Sequence, residues 1–461
     1  MIDYIKLCFA VFYPFCIGWI FISAIDKSRI LLFLEKCALS YIIGFGILSL
    51  EMFLLGIFKI SLITFNILIF SLVIALVPSY LSIKNKSLIT RLGWKFGASR
   101  LSLIEIALLI LIVFKVFYAF AITMIKPVIN VDAFASWSLK AKVFFIEQSL
   151  MLDKSSKYFL GFGHMSYPLN LSLIETWIFN VLGYWNDQLV KVIFPLFFIS
   201  LLLILYCALN RVCSRTFSLL GVYLICSLPM LLYHATSEYM DLPLSACFSA
   251  SIFLIFYYFG SGEAPLLYIS AILAGICTWT KTEGTPLIMV NIIILLIFFI
   301  SQKQMNKRVT EIVNYLLIIL VFKLPWSIFN IIYSIPKEPD KVLEIGKTFE
   351  NLGRVPVIAG IVFDKYFMNG NWNIVWFIFI VLLILSFYNY KKLLLSYPLA
   401  VIFLSLGALL ALYYFTGSYI YLIQGTTLNR NTLLVMPILI YFITTRISEI
   451  FEERSTEPKK K

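Results

Sequence analysis

Four groups of polar side chains interrupt an otherwise apolar chain of 461 residues, and each holds residue types able to do chemistry. INVDAFASWSLKAKVFF (129–145) carries Asp132, Lys140 and Lys142 among aromatics, and GFGHMSYPLN (161–170) sets His164 and Tyr167 before Pro168. HATSEYMDLPL (234–244) brings Asp241 to the start of an apolar run, with His234 and Glu238 upstream, and WTKTEG (279–284) supplies Lys281 and Glu283. Further on, TTLNRN (426–431) puts Arg430 just ahead of the last apolar run. A carboxylate in such a place can take a proton from a hydroxyl as it attacks. Lys, Arg, His and the amino end of a helix can hold phosphate. Ionisable groups at membrane depth are costly, and that cost points to use.

Each group also has a plainer reading. The aromatics and lysines of 129–145 suit a helix lying in the membrane interface, with Phe134, Trp137, Ala141, Phe144 and Phe145 on its apolar side. A helix over 131–145 would put Asp132, Ser136 and Lys140 on one face at i, i+4 and i+8. The interfacial reading accounts for the lysines as anchors and leaves Asp132 over, because an acid gains nothing among lipid headgroups. Pro168 is expected at the first position of a helix, with His164 and Tyr167 preceding its amino end. Asp241 can cap the helix it opens, a role compatible with substrate contact. Lys281 and Glu283 can pair with each other, but so short a turn cannot carry them far from the spans, so they are expected to face the cavity that Asp241 faces.

The elements that must hold these residues are membrane spans. The chain is 61% hydrophobic and 13% charged, with a mean hydropathy of +0.95, far above a soluble domain. Apolar runs of bilayer length recur throughout, and no alternating barrel-type segments occur. The expectation is an all-α polytopic membrane protein with about 13 transmembrane helices, over 5–24, 30–57, 61–83, 103–125, 188–209, 216–233, 241–260, 264–280, 283–301, 308–333, 372–388, 394–415 and 432–448. Segment 168–183 is too short and carries Glu175, so it is taken as a re-entrant or juxtamembrane helix. The first apolar run lacks a small-residue cleavage site and is expected to be retained. The eight cysteines show no CxxC spacing and suggest neither a zinc site nor a disulfide framework.

Loop charge sets the orientation. The stretch 84–100 has five basic residues and no acid, which places it in the cytoplasm. Arg211, Arg215, Lys391, Lys392 and Lys459 to Lys461 then fall on the same side. The loops 126–187 and 334–371 fall outside, each with five basic and five acidic residues. The amino terminus is therefore expected outside and the carboxyl terminus inside a plasma or inner membrane. The +13 charge reflects loop placement, and no nucleic-acid partner is implied. Segmentation follows as a three-span appendage with its basic loop (1–100), a membrane module over 101–333 containing the external loop 126–187, a second external loop (334–371), and three further spans with a tail (372–461).

Taken in order and spacing, DAFASWSLKAKVFF, HMSYPLNLSLIETWIF, EYMDLPL and AGICTWTKTEG resemble the GT-C fold glycosyltransferases, in the bacterial branch related to protein O-mannosyltransferases and lipid A aminoarabinose transferases. The resemblance runs over about 101–302, with an echo in LNRNTLLVMP at 428–437. It implies transfer of a sugar from a polyprenyl phosphate to an acceptor hydroxyl of a glycan, lipid or protein, on the non-cytoplasmic side. It implies Asp132 as acceptor-binding base, Asp241 as a second acid of the site, and a donor-phosphate contact at His164 or Tyr167. Relatives often carry an acidic pair where Asp132 is followed by Ala133, and their catalytic module normally begins at the first span. The chemistry suits the residue types: a lipid-phosphate sugar brings its own leaving group, so no cofactor is required. One carboxylate serves as base, and Lys281, Arg430, His164 or Lys140, with Glu283 beside them, line the substrate. A divalent metal on Asp132 and Asp241 is compatible with carboxylate ligands. Single displacement predicts inversion at the anomeric carbon. An O-antigen or capsule polymerase or ligase is the competing reading, and a lipid-linked-sugar flippase, which should show repeat symmetry and broken spans, is a further one.

Overall fold

The computed structural model describes residues 1–89, 100–303, 305–336, 338–387 and 396–456. Most of the basic loop 84–100, with Lys391, Lys392 and Lys459 to Lys461, lies outside the described residues. Among the described residues there are helices and no strands, the single β contact being a bridge between Leu343 and Thr416. Among the described residues nine helices are long and apolar enough to cross a membrane: Ile2–Ile25, Phe33–Ile57, Thr64–Lys84, Leu103–Ile125, Leu189–Asn210, Asp241–Ser261, Gly284–Ser301, Arg308–Ile332 and Tyr397–Phe415. This is a polytopic helical membrane protein.

Where the count falls short of thirteen, the reasons are local. The expected span 216–233 is Arg215–Cys226 and Pro229–Ala235, bent by 74° at the break, so it adds a tenth span only if the pair is counted as one. Pro229 cannot donate to the turn before it and pushes Leu228 away from helical geometry. Ala264–Thr280 has 17 residues, roughly 25 Å at 1.5 Å per residue and short of a bilayer core. Val375–Phe387 is shorter still at 13. Met436–Thr456 is apolar through its first half, then meets Arg446, Glu449 and Glu452.

The described residues form two compact units, Met1–Lys95 with Tyr118–Leu201 and His234–Pro336, and Phe96–Phe117 with Leu202–Tyr233 and Lys337–Lys461. These units cut across the sequential blocks 1–100, 101–333, 334–371 and 372–461. In the first unit Phe33–Ile57 is almost wholly enclosed. It crosses Ile2–Ile25 so closely that a Cβ on Gly18 would lie 2.0 Å from the Ser40 carbonyl oxygen, and one on Gly44 1.8 Å from that of Pro14. Small residues permit such approach, and dispersion then holds the helices together in lipid. The same helix sends Ser49 to Asn170 Oδ1 (2.7 Å), while the Ser49 hydroxyl accepts from Trp279 Nε1 (2.8 Å). The first helices are thus part of the framework around residues 170 and 279.

Asn170–Leu182 is enclosed over Asn170 to Phe179 and at Leu182. Its 13 residues span about 20 Å, too few for a crossing. The helix begins after Leu169, two residues later than a start at Pro168, and ends at Gly183 with φ +85°. Enclosure requires its polar side chains to find partners. Asn170 donates to Thr280, Ser172 to the Trp137 carbonyl, Thr176 to the Ser172 carbonyl, Trp177 to the Ala10 carbonyl and Asn180 to the Leu62 carbonyl.

In the second unit, Leu103–Ile125 opens with a reciprocal box. The Glu105 amide donates to Ser102 Oγ (3.2 Å), and the Ser102 amide to Glu105 Oε2 (2.9 Å). Arg215 grips both carboxyl oxygens of Glu105 at 2.9 and 2.7 Å. Loop 334–371 folds into short helices, and Arg354 donates to the carbonyls of Tyr414 and Thr416 and to Glu344.

Candidate functional site

Helix Ala264–Thr280 ends at Lys281, and Gly284 starts the next helix three residues on. The turn closes only with glycine there, since a Cβ on Gly284 would lie 2.1 Å from the Cys277 carbonyl oxygen. That tightness aims Lys281 back at Asp241: its Nζ lies 2.9 Å from Oδ1, with both side chains buried, and 3.9 Å from Glu283 Oε1. Asp241 occupies the first position of Asp241–Ser261, after Met240. Its carboxylate pairs with Lys281, and its place in the first turn suits the helix dipole. Glu283 accepts from Thr282 (2.9 Å) and from the Tyr167 hydroxyl (3.4 Å).

Tyr167 carries the network to the Asp132 segment. Its ring meets Trp137 edge-on at 5.0 Å, and His164 at 6.0 Å. Trp137 closes a π-helical turn, Ala133–Trp137, that starts directly after Asp132. The extra residue of that turn breaks the expected i, i+4, i+8 face. Asp132 is half-buried, whereas Ser136 and Lys140 are fully enclosed. On its other side the segment is stapled down, because Asn130 Nδ2 donates to Glu238 Oε2 (2.7 Å). Glu238 pairs with Lys191 at 3.0 Å, both fully buried, and Lys191 also reaches the Pro127 carbonyl (3.2 Å). Two buried ion pairs, Glu238–Lys191 and Asp241–Lys281, therefore stand three residues apart on one segment. Partnerless burial of either member would be expensive.

Lys140 faces neither lipid nor solvent. The reversal at Leu160, Gly161 and Phe162, all at positive φ, folds over it, and its Nζ donates to the Leu160 carbonyl at 3.1 Å. Burial pushes this ammonium down to about 7. Lys140 is a packed interior lysine and not a snorkelling one, and Lys142 lies over the Trp185 ring at 3.9 Å. Arg430 belongs to the second unit, half-buried on the short helix Leu428–Leu433. Its neighbours Asn429, Asn431 and Thr432 are pinned by Trp372, Tyr413 and Tyr366. His164 is exposed, in contact with Tyr167.

Sequence reasoning gave Lys191 no role and Glu238 a small one. The available signal was a lysine at the very start of an apolar run, 188–209, which reads equally well as a span end. It also missed Glu175. That carboxyl is fully enclosed, neither oxygen has a hydrogen-bond partner, and burial, with the nearby Glu238 charge, pushes it up to about 8. Among the described residues no three His, Cys, Asp or Glu side chains are grouped to hold a metal ion, and Asp241 already faces the Lys281 ammonium. No family model, curated protein or solved structure matches the chain.

Proposed function

We propose that this chain is an integral-membrane glycosyltransferase. It moves a sugar from a polyprenyl-phosphate donor to an acceptor hydroxyl on the non-cytoplasmic face, in the synthesis of a surface glycan or glycoconjugate. The observation that carries the reading is the half-buried carboxylate of Asp132, on a turn fixed from both sides: Asn130 to the Glu238–Lys191 pair, and Trp137 through Tyr167 to Glu283, Lys281 and Asp241. A base needs one reachable carboxylate held still, and that arrangement supplies it. The motif resemblance supports the same assignment.

In this reading Asp132 takes the hydroxyl proton as the acceptor oxygen bonds to the anomeric carbon. The bond from that carbon to the phosphate oxygen breaks, and polyprenyl phosphate leaves with the electron pair. One displacement gives inversion. Lys281 is committed to two carboxylates, so its part is to hold Asp241 in place, which leaves His164 and Tyr167 as the phosphate contacts nearest to Asp132 in the network. Asp132→Asn should fold normally and lower transfer by roughly 10²–10⁴-fold in liposomes holding a polyprenyl-phosphate sugar; undiminished turnover would overturn the assignment. For sidedness, a cysteine at Ser156 in a background freed of native cysteines should react with an impermeant thiol reagent in intact cells. Labelling only after lysis would invert the orientation.

A further inference from the structure

Leu103–Ile125 is a span that leaves most of its surface open. It is anchored near its start, where Arg215 and Thr216 donate to the Glu105 carboxylate. Glu105 and Leu108 are buried and Ile112 half-buried, which marks the side on which the helix packs. Lys115 flanks that stripe and is half-buried, between it and the exposed Ile104 and Leu111. At 1.5 Å per residue it stands about 18 Å from the Leu103 end and about 15 Å from the Ile125 end. The hydrocarbon core is about 30 Å thick, so this is its middle. A lysine stem covers about one helical turn, roughly 5.4 Å, so snorkelling toward either boundary leaves the amino group in hydrocarbon.

Among the described residues the Lys115 side chain makes no hydrogen bond and no ion pair. Its charge reaches the Cys226 thiol, at the carboxyl end of Arg215–Cys226 where that helix pair breaks. A helix carboxyl end supplies about half of a negative charge, and its carbonyls are already engaged. Tyr223 accepts from the Ser227 amide, Leu224 from the Ser227 hydroxyl and Ile225 from the Leu228 amide. Among the described residues nothing supplies the remainder, although ionisable groups at such depth are paired as a rule. Other lysines in the spans follow that rule: Lys6 donates to the Leu182 carbonyl (2.7 Å) and Lys36 to the Ser87 carbonyl (3.1 Å). Lys323 lacks a partner too, but it stands about 13.5 Å from the Ile332 end of a 25-residue helix that overshoots the core, so its stem reaches toward the boundary.

Depth selects the anion. A lipid headgroup lies at the boundary, too shallow for Lys115, so an anion at mid-depth has to be carried by a polypeptide, as Asp or Glu in the middle of another span. A second copy of this chain does not offer one among the described residues. Glu51 is enclosed and accepts from Ser71, Glu105 is held by Arg215, Glu311 by Arg308 and Asp241 by Lys281. Asp3 and Glu35 stand in the first turns of their helices, near a boundary. We infer that the side of Leu103–Ile125 bearing Leu111 and Lys115 docks a membrane-spanning helix of a different protein, one that carries an Asp or Glu near its centre. The apolar neighbours supply close packing and the lysine supplies orientation and choice of partner. This docking site is independent of the transferase reading.

Energy transfer in phosphatidylcholine liposomes, between the labelled full chain and a labelled Leu-rich peptide of about 22 residues, tests it. The peptide carries Glu, Gln or Leu at its centre. The Glu peptide should associate about tenfold more tightly than the Leu peptide, the value of one interhelical polar contact in a membrane. Lys115→Leu should remove that excess, whereas Lys115→Arg and Lys323→Leu should keep it. A charge swap, Lys115→Glu with a Lys-centred peptide, should restore association, which a folding defect could not do; it decides the matter if Lys115→Leu does not fold. Equal association of the Glu and Leu peptides, equal association of the Glu and Gln peptides, or an excess that survives Lys115→Leu would overturn the docking site. An excess lost when the liposomes contain phosphatidylglycerol would make a lipid headgroup the partner of Lys115 and overturn it as well.

Discussion

Two lysines of the first unit are withdrawn from water and meet opposite fates. Lys281 finds the Asp241 carboxylate at 2.9 Å, whereas among the described residues Lys140 finds the Leu160 carbonyl at 3.1 Å and no carboxylate. Burial penalises both charges equally in principle, and what separates them is the counter-ion. Glu175 mirrors Lys140 among the acids, enclosed and without a base. The site is thus built from matched buried charges, and the supporting helices tolerate unmatched groups held near their neutral forms.

The comparison breaks most visibly at Lys281. Lys281→Met should leave Asp241 buried without its cation and cost about 3–5 kcal/mol, measured as a lowered unfolding midpoint in detergent, together with loss of transfer. An unchanged midpoint would mean that the pair contributes nothing to the fold.

The unmatched groups should respond to pH with opposite signs. Glu175 rises from 4.5 to about 8 on folding, so between those values the folded state holds a proton the unfolded chain has released, and stability falls as pH rises. Glu175→Gln should therefore stabilise by an amount on the order of a few kcal/mol above pH 8 and by nothing below pH 4.5. Lys140 drops from 10.5 to about 7, so Lys140→Met should stabilise most below pH 7, with the gain gone above pH 10.5. Midpoints scanned across pH that showed the same slope for both variants would remove the distinction. The smallest effect belongs to Lys142. Lys142→Ala loses its contact with Trp185 and should cost about 0.5–1 kcal/mol, independent of pH over the same scan.

How far the sequence reached can be followed residue by residue. That Lys281 would stay near the spans was legible because so short a turn cannot carry it far, whereas the sequence offered Glu283 as its partner and the structure gives it Asp241 at 2.9 Å. Lys140 was misread because its burial comes from residues 160–162, and no periodicity within 131–145 records that reversal. The shared face of Asp132, Ser136 and Lys140 failed for a related reason: a π-turn shifts the register by one residue, and side-chain types alone do not announce it. Residues 1–100 looked peripheral because a basic loop follows them, although Ser49 meets Asn170 and Trp279 inside the unit.

Hydropathy is a property of consecutive residues, so the sequence by itself determined that the chain is a helical membrane protein and roughly where its helices lie. It also determined the tight 281–284 turn, since that depends on neighbours along the backbone. Which buried charge receives a counter-ion was decided only by tertiary structure. Glu238 meets Lys191 across 47 positions, Asp241 meets Lys281 across 40, and Lys140 and Glu175 meet no opposite charge among the described residues. An ion pair forms over a few ångströms in space, and in a bundle that distance is set by which helices cross, not by how many residues separate them.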